Sequence, residues 1–312
     1  MPTDRPGRRG GLLRSRILPN WQLYAMILLP AAYIFIFKYV PMYGAQIAFR
    51  NYSPIFGFSA SEWVGLANFR RFVSSPMFGT LLSNTLLLSL YNMAANIPFP
   101  ILLAIGLNYV RGRHIKKTIQ TVTYIPYFIS IVVMVGILIQ VLNPRYGVVN
   151  NAIRAFGGSP IDFFANPAYF RSLYVWSGVW QTAGWGSVIY IAALAGIDPQ
   201  LHEAAIMDGA DIWKRIAHVD FPGILPTVVI MLILSMGSVL STGFEKALLM
   251  QNTLNTGVSE VIDTYVYKVG LASASANFSY SSAIGLFQSL IGFVLTIAVN
   301  WFSRRVSETS LW

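Results

Sequence analysis

Few residues in this sequence have the types and spacing that chemistry requires. Its three histidines, His114, His202 and His218, lack the mutual spacing of metal ligands, and the chain contains no cysteine. No nucleophile stands beside a base in a recognisable arrangement, and no G-x-x-x-x-G-K-[ST] phosphate loop occurs. The sequence therefore supports neither catalysis nor metal binding. We expect this chain to bind no cofactor, and it cannot hold ATP through a phosphate loop.

The most specific spacing lies in the loop at 197–223. Asp198 followed by Pro199 is typical of a helix N-terminus. A helix can then run to Asp208, and Gly209 suits a left-handed helix end. These signals predict a short helix within the loop, which is unusual for a short connector.

A second short helix is predicted in the same loop. Asp211 is placed to cap a helix from Trp213 to Val219, and Pro222 is expected to end that helix. The two helices together would expose four apolar side chains: Ile206, Met207, Ile212 and Trp213. Exposed apolar groups rimmed by charge usually mark the docking site of a partner.

The loop resembles the EAA loop of permease subunits of binding-protein-dependent ABC importers. The resemblance is carried by Glu203-Ala204-Ala205, Asp208-Gly209-Ala210 and Val219-Asp220-Phe221-Pro222, with Pro226 following. Val219 stands where the family often has isoleucine. Two further stretches resemble the subgroup that imports oligosaccharides and polysaccharides: Gly243-Phe244-Glu245-Lys246 and the C-terminal Ser-Glu-Thr-Ser-Leu-Trp at 307–312.

The resemblance implies that the loop is a coupling helix, which docks in a groove on a cytoplasmic ATPase and carries nucleotide-driven closure to the membrane. Glu203 and Gly209 would hold the loop's shape and its charge contacts. The residues expected to take part in ATPase coupling are Glu203, Ala204, Ala205, Ile206, Met207, Asp208, Gly209, Ala210, Trp213 and Pro222. The implied partners are two ATPase subunits that use ATP and Mg²⁺, a second permease subunit, identical or different, and an extracytoplasmic sugar-binding protein.

Polar and aromatic residues also lie within the apolar segments. Asn84, Asn92 and Asn96 are spaced to share one side of the second segment. Sugars present flat apolar faces and many hydroxyls, so aromatic rings beside amides suit them. The candidates for a substrate pathway are Asn92, Trp180, Gln181, Trp185, Tyr190, Lys38 and Lys246. Helix–helix packing and interfacial anchoring are the alternative roles for these residues.

Three charged residues, Lys38, Glu245 and Lys246, are expected near the outer ends of their segments. Long side chains at helix ends reach the interface by snorkelling. The alternative is that Lys38 or Lys246 helps to admit an anionic sugar such as a uronate oligomer. Within the subgroup that the chain resembles, we expect an alginate-type substrate.

The composition indicates an all-α integral membrane protein surrounded by lipid. The chain is 55% hydrophobic and only 11% charged, whereas soluble domains carry about 25% charged residues. Apolar segments of about 20 residues are long enough to cross a bilayer, where backbone groups must bond internally as helices. The net charge of +10 does not indicate nucleic-acid binding, because the basic residues gather at the ends of the apolar segments.

Six membrane spans are predicted, at about 21–47, 80–107, 118–142, 172–196, 224–249 and 281–302. Thirteen Lys and Arg residues fall in the tail at 1–20, the loops at 108–117 and 197–223 and the tail at 303–312, against seven in the longer opposite loops. Basic residues concentrate on the cytoplasmic side, so both termini are expected in the cytoplasm. Six spans with the loop between the fourth and fifth resemble the plan of the family named above, and the resemblance implies the type I importer permease fold and a bacterial inner-membrane location. The permease domain would then occupy 21–302.

Two local patterns add to this plan. Pro98 and Pro100 predict a break in the second span. The outward loop at 249–279 contains apolar residues spaced for one helical face: Val258, Val261, Ile262, Tyr265, Val266 and Val269. This loop is expected either to lie on the membrane surface or to fold back toward the transport path.

Three classes of function remain to be compared. An importer permease explains both the loop and the spans. An ion-coupled secondary transporter should place carboxylates at mid-membrane, yet the predicted spans contain only Glu245, near an end. No internal repeat supports that alternative. A membrane enzyme or scaffold leaves the coupling-like loop unexplained.

Overall fold

The computed structural model of the chain describes residues 20–241 and 243–306. Residues 1–19 of the predicted basic tail and the C-terminal stretch at 307–312 lie outside the described residues. The described part is mainly helical, with one two-stranded sheet, and the predicted all-α class is confirmed.

The elements are α1 (Trp21–Phe49), β1 (Arg50–Asn51), α2 (Gly57–Ala60), β2 (Glu62–Trp63), α3 (Ala67–Val73), α4 (Met77–Asn96), α5 (Pro98–Tyr109), α6 (Arg113–Tyr124), a 3₁₀ turn (Ile125–Phe128), α7 (Ile131–Val141), α8 (Val148–Ala155), α9 (Pro167–Ala195), α10 (Pro199–Met207), α11 (Ile212–Gly237), α12 (Phe244–Met250), α13 (Thr256–Ser259), α14 (Ile262–Tyr267), a π turn (Lys268–Ala272) and α15 (Phe278–Val306).

The predicted spans correspond to helices of several kinds. Within the described ranges, four helices are long and apolar enough to cross a membrane: α1, α4 joined with α5, α11, and α15. The pair α6 and α7 supplies a fifth span if the two are counted together. Helix α9, at 29 residues, is also long enough to cross, although its glycine, serine, glutamine and tryptophan residues make it less apolar.

Helix α1 stands apart from the rest of the bundle. It runs from Trp21 to Phe49 through a π segment at Phe35–Tyr39 and ends in a 3₁₀ segment at Tyr43–Phe49. None of its most apolar stretch is buried within the chain, and only the 3₁₀ end packs against α15. This long apolar helix is therefore available to lipid or to a second subunit.

The second span is broken where its prolines predict a break. Helix α4 ends at Asn96 and α5 begins at Pro98, so the change of element falls at Ile97. Proline has no N–H to donate to the preceding turn, which weakens the helix there. The predicted break is confirmed.

The third span is not the single helix predicted over 118–142. Segments Arg113–Phe128 and Ile131–Val141 meet at a bend of 102°. Pro126 lies in the 3₁₀ turn before the bend, and Ser130 has an extended backbone and caps α7 through a hydrogen bond from Val133 N. Hydropathy averages over such a bend, because the residues on both sides of it are apolar.

The fifth span also differs from its predicted limits of 224–249. The helix predicted at Trp213–Val219 is not separate, because α11 runs without interruption from Ile212 to Gly237. Pro222 therefore does not end a helix. A π turn at Ile216–Asp220 comes just before this proline, and its wider hydrogen bonding accommodates a residue without an N–H. Turn residues follow at 238–240, and α12 is a separate short helix that packs against α7.

The loop at 249–279 folds back into the bundle and does not lie on the membrane surface. Val261 and Ile262 are fully buried, and α14 packs against α4, α12 and α15. Apolar side chains on one face of this segment join two separate core clusters. Of the two arrangements expected from the sequence, the folded-back one is observed.

Helix α9 occupies the centre of the bundle and contacts α4, α5, α6, α11, α12 and α13. Gly184 allows α6 to approach closely, because a β-carbon at this position would lie only 1.9 Å from the carbonyl oxygen of Thr123. Small residues at such crossings are typical of helices packed in lipid. The central position of α9 allows one helix to reach both ends of the bundle.

Candidate functional site

The loop between α9 and α11 contains the N-caps that its sequence predicts. Asp198 Oδ1 accepts a hydrogen bond from the backbone N–H of Gln200 at 2.9 Å and caps α10. Asp211 Oδ1 accepts one from the backbone N–H of Lys214 at 2.8 Å and caps the start of α11. Both predicted caps are confirmed.

Gly209 closes α10 with a left-handed backbone, at φ +75°. Its N–H donates to the Ile206 carbonyl at 3.0 Å, and the N–H of Ala210 donates to the Ala205 carbonyl at 2.8 Å. These two bonds around a left-handed residue form the Schellman motif, which uses carbonyls that the helix end would otherwise leave unpaired. The predicted left-handed end at Gly209 is confirmed.

The turn between the two helices carries exposed apolar side chains. The exposed fraction is 86% for Met207 and 78% for Trp213. The other exposed predicted residues of the loop are Glu203, Ala204, Ile206, Asp208, Gly209, Ile212 and Pro222. Ala205 and Ala210 are partly buried. The loop thus presents a capped apolar surface of the kind that protein partners cover.

A buried carboxylate, Asp220, lies at the base of α11. It is fully buried, and Tyr109 donates its hydroxyl proton to Asp220 Oδ2 at 2.6 Å. His202 Nε2 of α10 lies 3.5 Å from Asp220 Oδ1, and the Arg215 guanidinium lies over the Tyr109 ring, 5.4 Å from its centre. Asp220 therefore connects α10, α11 and the end of α5. The sequence analysis did not identify Asp220 as a site residue.

A cavity of about 290 Å³ with both polar and apolar walls lies between α4, α9 and the end of α11. It is lined by Leu88, Ser89, Asn92, Met93, Asn96, Ile97, Tyr174, Ser235, Ser238, Val239, Ser241 and Gly243. Asn96 Nδ2 donates to Asn92 Oδ1 at 2.7 Å, and Thr182 Oγ1 donates to Asn96 Oδ1 at 3.0 Å. Asn92 thus lies in this cavity, which places amides and hydroxyls inside a membrane bundle.

Asn84 is not part of the cavity. Its side-chain amide donates to the carbonyls of Gly257 and Glu260, and its oxygen accepts a hydrogen bond from Arg171. These bonds hold the folded-back loop against α4 and α9.

The predicted pathway residues of α9 point in different directions. Gln181 Nε2 donates to the Ile129 carbonyl at 2.7 Å, and Tyr190 is buried in an apolar cluster. Trp185 stacks on Tyr127 with ring centres 4.9 Å apart, and Trp180 is about half exposed on another face. Because successive residues turn by about 100° around a helix, these four side chains contact different neighbours. None of them lines the cavity that contains Asn92.

The two candidate lysines occupy different environments. Lys38 is exposed on α1, away from the cavity. Lys246 is only 6% exposed, because α12 folds back against α9, and its ammonium donates to the Tyr174 carbonyl at 2.5 Å. The expectation that Lys246 snorkels at an outer helix end is therefore wrong.

The described residues thus form a helical bundle with long apolar helices, an internal cavity and a capped loop with exposed apolar side chains. Residues 96–308 match the family described as the binding-protein-dependent transport system inner membrane component, and the chain belongs to this family. The predicted importer-permease class and fold are confirmed. The chain is a membrane-spanning permease subunit of an ABC importer, and ATP is hydrolysed by a separate ATPase subunit.

Individual relatives extend this similarity over nearly the whole chain. The polygalacturonan/rhamnogalacturonan transport system permease protein YteP of Bacillus subtilis is 42% identical over 300 residues, covering 96% of this chain and 93% of that protein. Protein LplB of the same organism is 40% identical, covering 93% and 90%. The fold also matches a chain in the crystal structure of a bacterial alginate ABC transporter in complex with an alginate pentasaccharide-bound periplasmic protein. That match has a TM-score of 0.88 at 34% identity and covers 96% of this chain and 100% of that chain.

Proposed function

We propose that this chain forms half of the translocation pathway for an acidic oligosaccharide or polysaccharide. The cavity between α4, α9 and α11 carries this proposal, because it offers hydroxyls and amides to a polar solute within the bilayer. The relatives support the acidic class: one is a polygalacturonan/rhamnogalacturonan permease, and the structural match belongs to an importer of the acidic polysaccharide alginate. Of the predicted pathway residues, Asn92 is the one that we assign to this wall.

The remaining predicted pathway residues have other roles in this proposal. Gln181 and Tyr190 support the bundle through the contacts described above. Trp180 and Trp185 are about half exposed, so a second permease subunit can cover them. That subunit, identical or different, supplies the other half of the pathway.

We further propose that the loop at 197–223 is the coupling helix that docks on the ATPase, where ATP and Mg²⁺ are used. The support is its exposed apolar surface at Ile206, Met207, Ile212 and Trp213, which the Gly209 turn presents. Glu203 contributes charge at the rim. Closure of two ATPase subunits would then pull on α10 and, through Asp220, on α11 and α5.

Both termini lie in the cytoplasm in this proposal, and an extracytoplasmic sugar-binding protein meets the loops at 50–79 and 143–171. The hydrogen bond between Tyr109 and Asp220 supports this orientation, because it joins the basic loop at 108–117 to the end of the bundle that carries the coupling loop. At the opposite end, Tyr52 N donates to Ser279 Oγ at 2.8 Å and joins two outward loops.

The experiment that tests this function combines uptake with a change at Gly209. The complete importer in vesicles should take up trigalacturonate only when both ATP and the binding protein are present. Gly209→Val places a β-branched residue at φ +75°, at a cost on the order of 1 kcal/mol or more. The variant should reach the membrane at near-normal levels, yet lose bound ATPase on purification and lose uptake.

Gly209→Asn is the matched control, because asparagine tolerates the left-handed conformation better than other residues with a β-carbon. It should retain most of the bound ATPase, whereas Glu203→Lys, which reverses a charge at the contact, should not. Full ATPase binding by both Gly209→Val and Glu203→Lys would show that the loop is a simple connector. Uptake without ATP would exclude the importer function.

A further inference from the structure

Lys246 is a buried cation at the inner face of the bundle. It lies on α12, which begins after Gly243, a residue with a left-handed backbone at φ +69°. That turn directs α12 back between α7, α9 and α14. The Lys246 ammonium donates to the Tyr174 carbonyl at 2.5 Å and lies 4.5 Å from the centre of the Tyr174 ring.

Lys246 has no acidic partner among the residues that the structure describes. The ion pairs there are His202–Asp220 and Lys268–Glu260, at the two ends of the bundle. An ammonium has three N–H donors, and the described residues accept one hydrogen bond from it, at Tyr174. Burying a charge without a counter-ion is costly, and charged residues inside membrane bundles mark substrate pathways.

The ammonium lies close to the cavity amide but behind the cavity wall. A β-carbon at Gly178 would lie 3.1 Å from Lys246 Nζ and 3.8 Å from Asn92 Oδ1, so both polar atoms border the gap that this glycine leaves open. Asn92, Tyr174 and Gly243 line the cavity, whereas Lys246 itself does not. The gap at Gly178 therefore lies between the buried ammonium and the amide of the cavity wall.

We propose that Lys246 and Asn92 form a subsite for the carboxylate of a uronate unit during its passage. This inference rests on the proposed function, and it makes Lys246 a specificity-determining residue. The ammonium donates to the carboxylate oxygens, and the Asn92 amide binds the carboxylate or a neighbouring hydroxyl. Because the Tyr174 carbonyl and ring already stabilise the ammonium, the carboxylate is held weakly enough to leave, as conduction requires.

The test measures direct binding to the purified complete importer, without the binding protein. The probes are trigalacturonate and its carboxyl-reduced, neutral counterpart, compared by equilibrium dialysis. A charge-assisted hydrogen bond predicts that the wild type binds the acidic probe about tenfold more tightly than the neutral one. Lys246→Met should abolish that preference, because the acidic probe then loses its charge-assisted hydrogen bond.

Two further variants keep the test decisive. Gly178→Ala retains the lysine but places a methyl group 3.1 Å from its ammonium, and it should reduce the preference even if Lys246→Met does not accumulate. Lys38→Met removes the same charge from an exposed position on α1 and should change nothing.

An acidic preference that survives both Lys246→Met and Gly178→Ala would overturn the subsite, as would equal binding of the two probes by the wild type. Failure of the wild type to import trigalacturonate in vesicles would instead contradict the proposed function. The preference for the acidic over the neutral probe tests the subsite independently of that import assay.

Discussion

Asp220 illustrates how a single residue can connect a docking loop to membrane helices. It is fully buried and is held by the Tyr109 hydroxyl at 2.6 Å, with His202 of α10 3.5 Å away. A buried carboxylate requires such partners, because its desolvation is otherwise uncompensated. In the proposed coupling, a displacement of α10 by the ATPase therefore has to move Asp220 and Tyr109 with it, or break these contacts.

Replacing Asp220 should weaken this connection without unfolding the bundle. Asp220→Asn preserves the side-chain shape but replaces a charge-assisted hydrogen bond, worth about 1.5–3 kcal/mol, with a neutral one worth about 1 kcal/mol. We expect normal membrane levels, unchanged basal ATP hydrolysis by the complex, and a several-fold smaller stimulation by the loaded binding protein. Basal and stimulated turnover of the purified importer measure this.

Tyr109→Phe removes the same hydrogen bond from the other side and should lower stimulation in the same direction. The double variant should lose less than the sum of the single losses, since both changes delete one contact. Glu245→Gln, at an exposed position on α12 outside the coupling loop, serves as the charge control. Strictly additive losses, or an effect of Glu245→Gln as large as that of Asp220→Asn, would contradict this role.

Among individual residues, helix caps and turns could be predicted from the sequence, whereas contacts between residues far apart in the chain could not. The caps at Asp198 and Asp211 and the turn at Gly209 follow from residue types and neighbours only a few positions away. Asp220 depends on Tyr109, 111 positions earlier in the chain, and the sequence contains no signal for that pairing. Lys246 was identified as charged and unusual, but its burial depends on the turn after α11.

Among the elements, the bent third span depends most on its neighbours. The 102° bend between its halves leaves backbone groups without helical partners near Ile129. Gln181 of α9 donates to the Ile129 carbonyl at 2.7 Å. In an apolar environment such backbone groups must find a partner inside the protein, so Gln181 stabilises the bend.

Gln181→Leu should destabilise the bundle because the Ile129 carbonyl loses its hydrogen bond. The change removes its hydrogen-bond donor and leaves the buried acceptor unsatisfied, at a cost of about 1–3 kcal/mol. We expect a lower thermal unfolding temperature for the detergent-solubilised permease, measured by tryptophan fluorescence. Gln140→Leu, at an exposed position on α7, should leave it nearly unchanged. An equal effect of the two changes would show that the bend does not require Gln181.

The elements show why hydropathy predicts spans better than it predicts their paths. Apolar length located α1, α4 with α5, and α15 to within several residues. It extended the fifth span past Gly237, because no proline stands between Gly237 and Met250, where α12 ends. Proline effects also depended on context: Pro98 coincides with a break, whereas Pro222 is accommodated behind a π turn.

Several surfaces of the whole molecule are suited to contacts with lipid or with other subunits. Helix α1 buries none of its most apolar stretch within the chain. The cavity lies against helices with exposed aromatic residues, and the apolar side chains of the loop at 197–223 are exposed. Each of these surfaces suits a different neighbour: lipid or a second permease for α1, the other half of the pathway for the cavity side, and an ATPase for the loop. Their placement requires one fixed orientation in the membrane.

That orientation gives the last prediction. The chain has no cysteine, so single cysteines can report which side of the membrane each loop faces. Ala60→Cys and Ser159→Cys, both at exposed positions of the outward loops, should react with a membrane-impermeant maleimide in intact cells. His114→Cys and Lys214→Cys, in the basic loops, should react only after the membrane is opened, because basic loops stay in the cytoplasm. Reaction of both His114→Cys and Ala60→Cys in intact cells would show that the two loops do not face opposite sides of the membrane. The complete reverse pattern would place the loop at 197–223 outside the cell, where no ATPase can reach it.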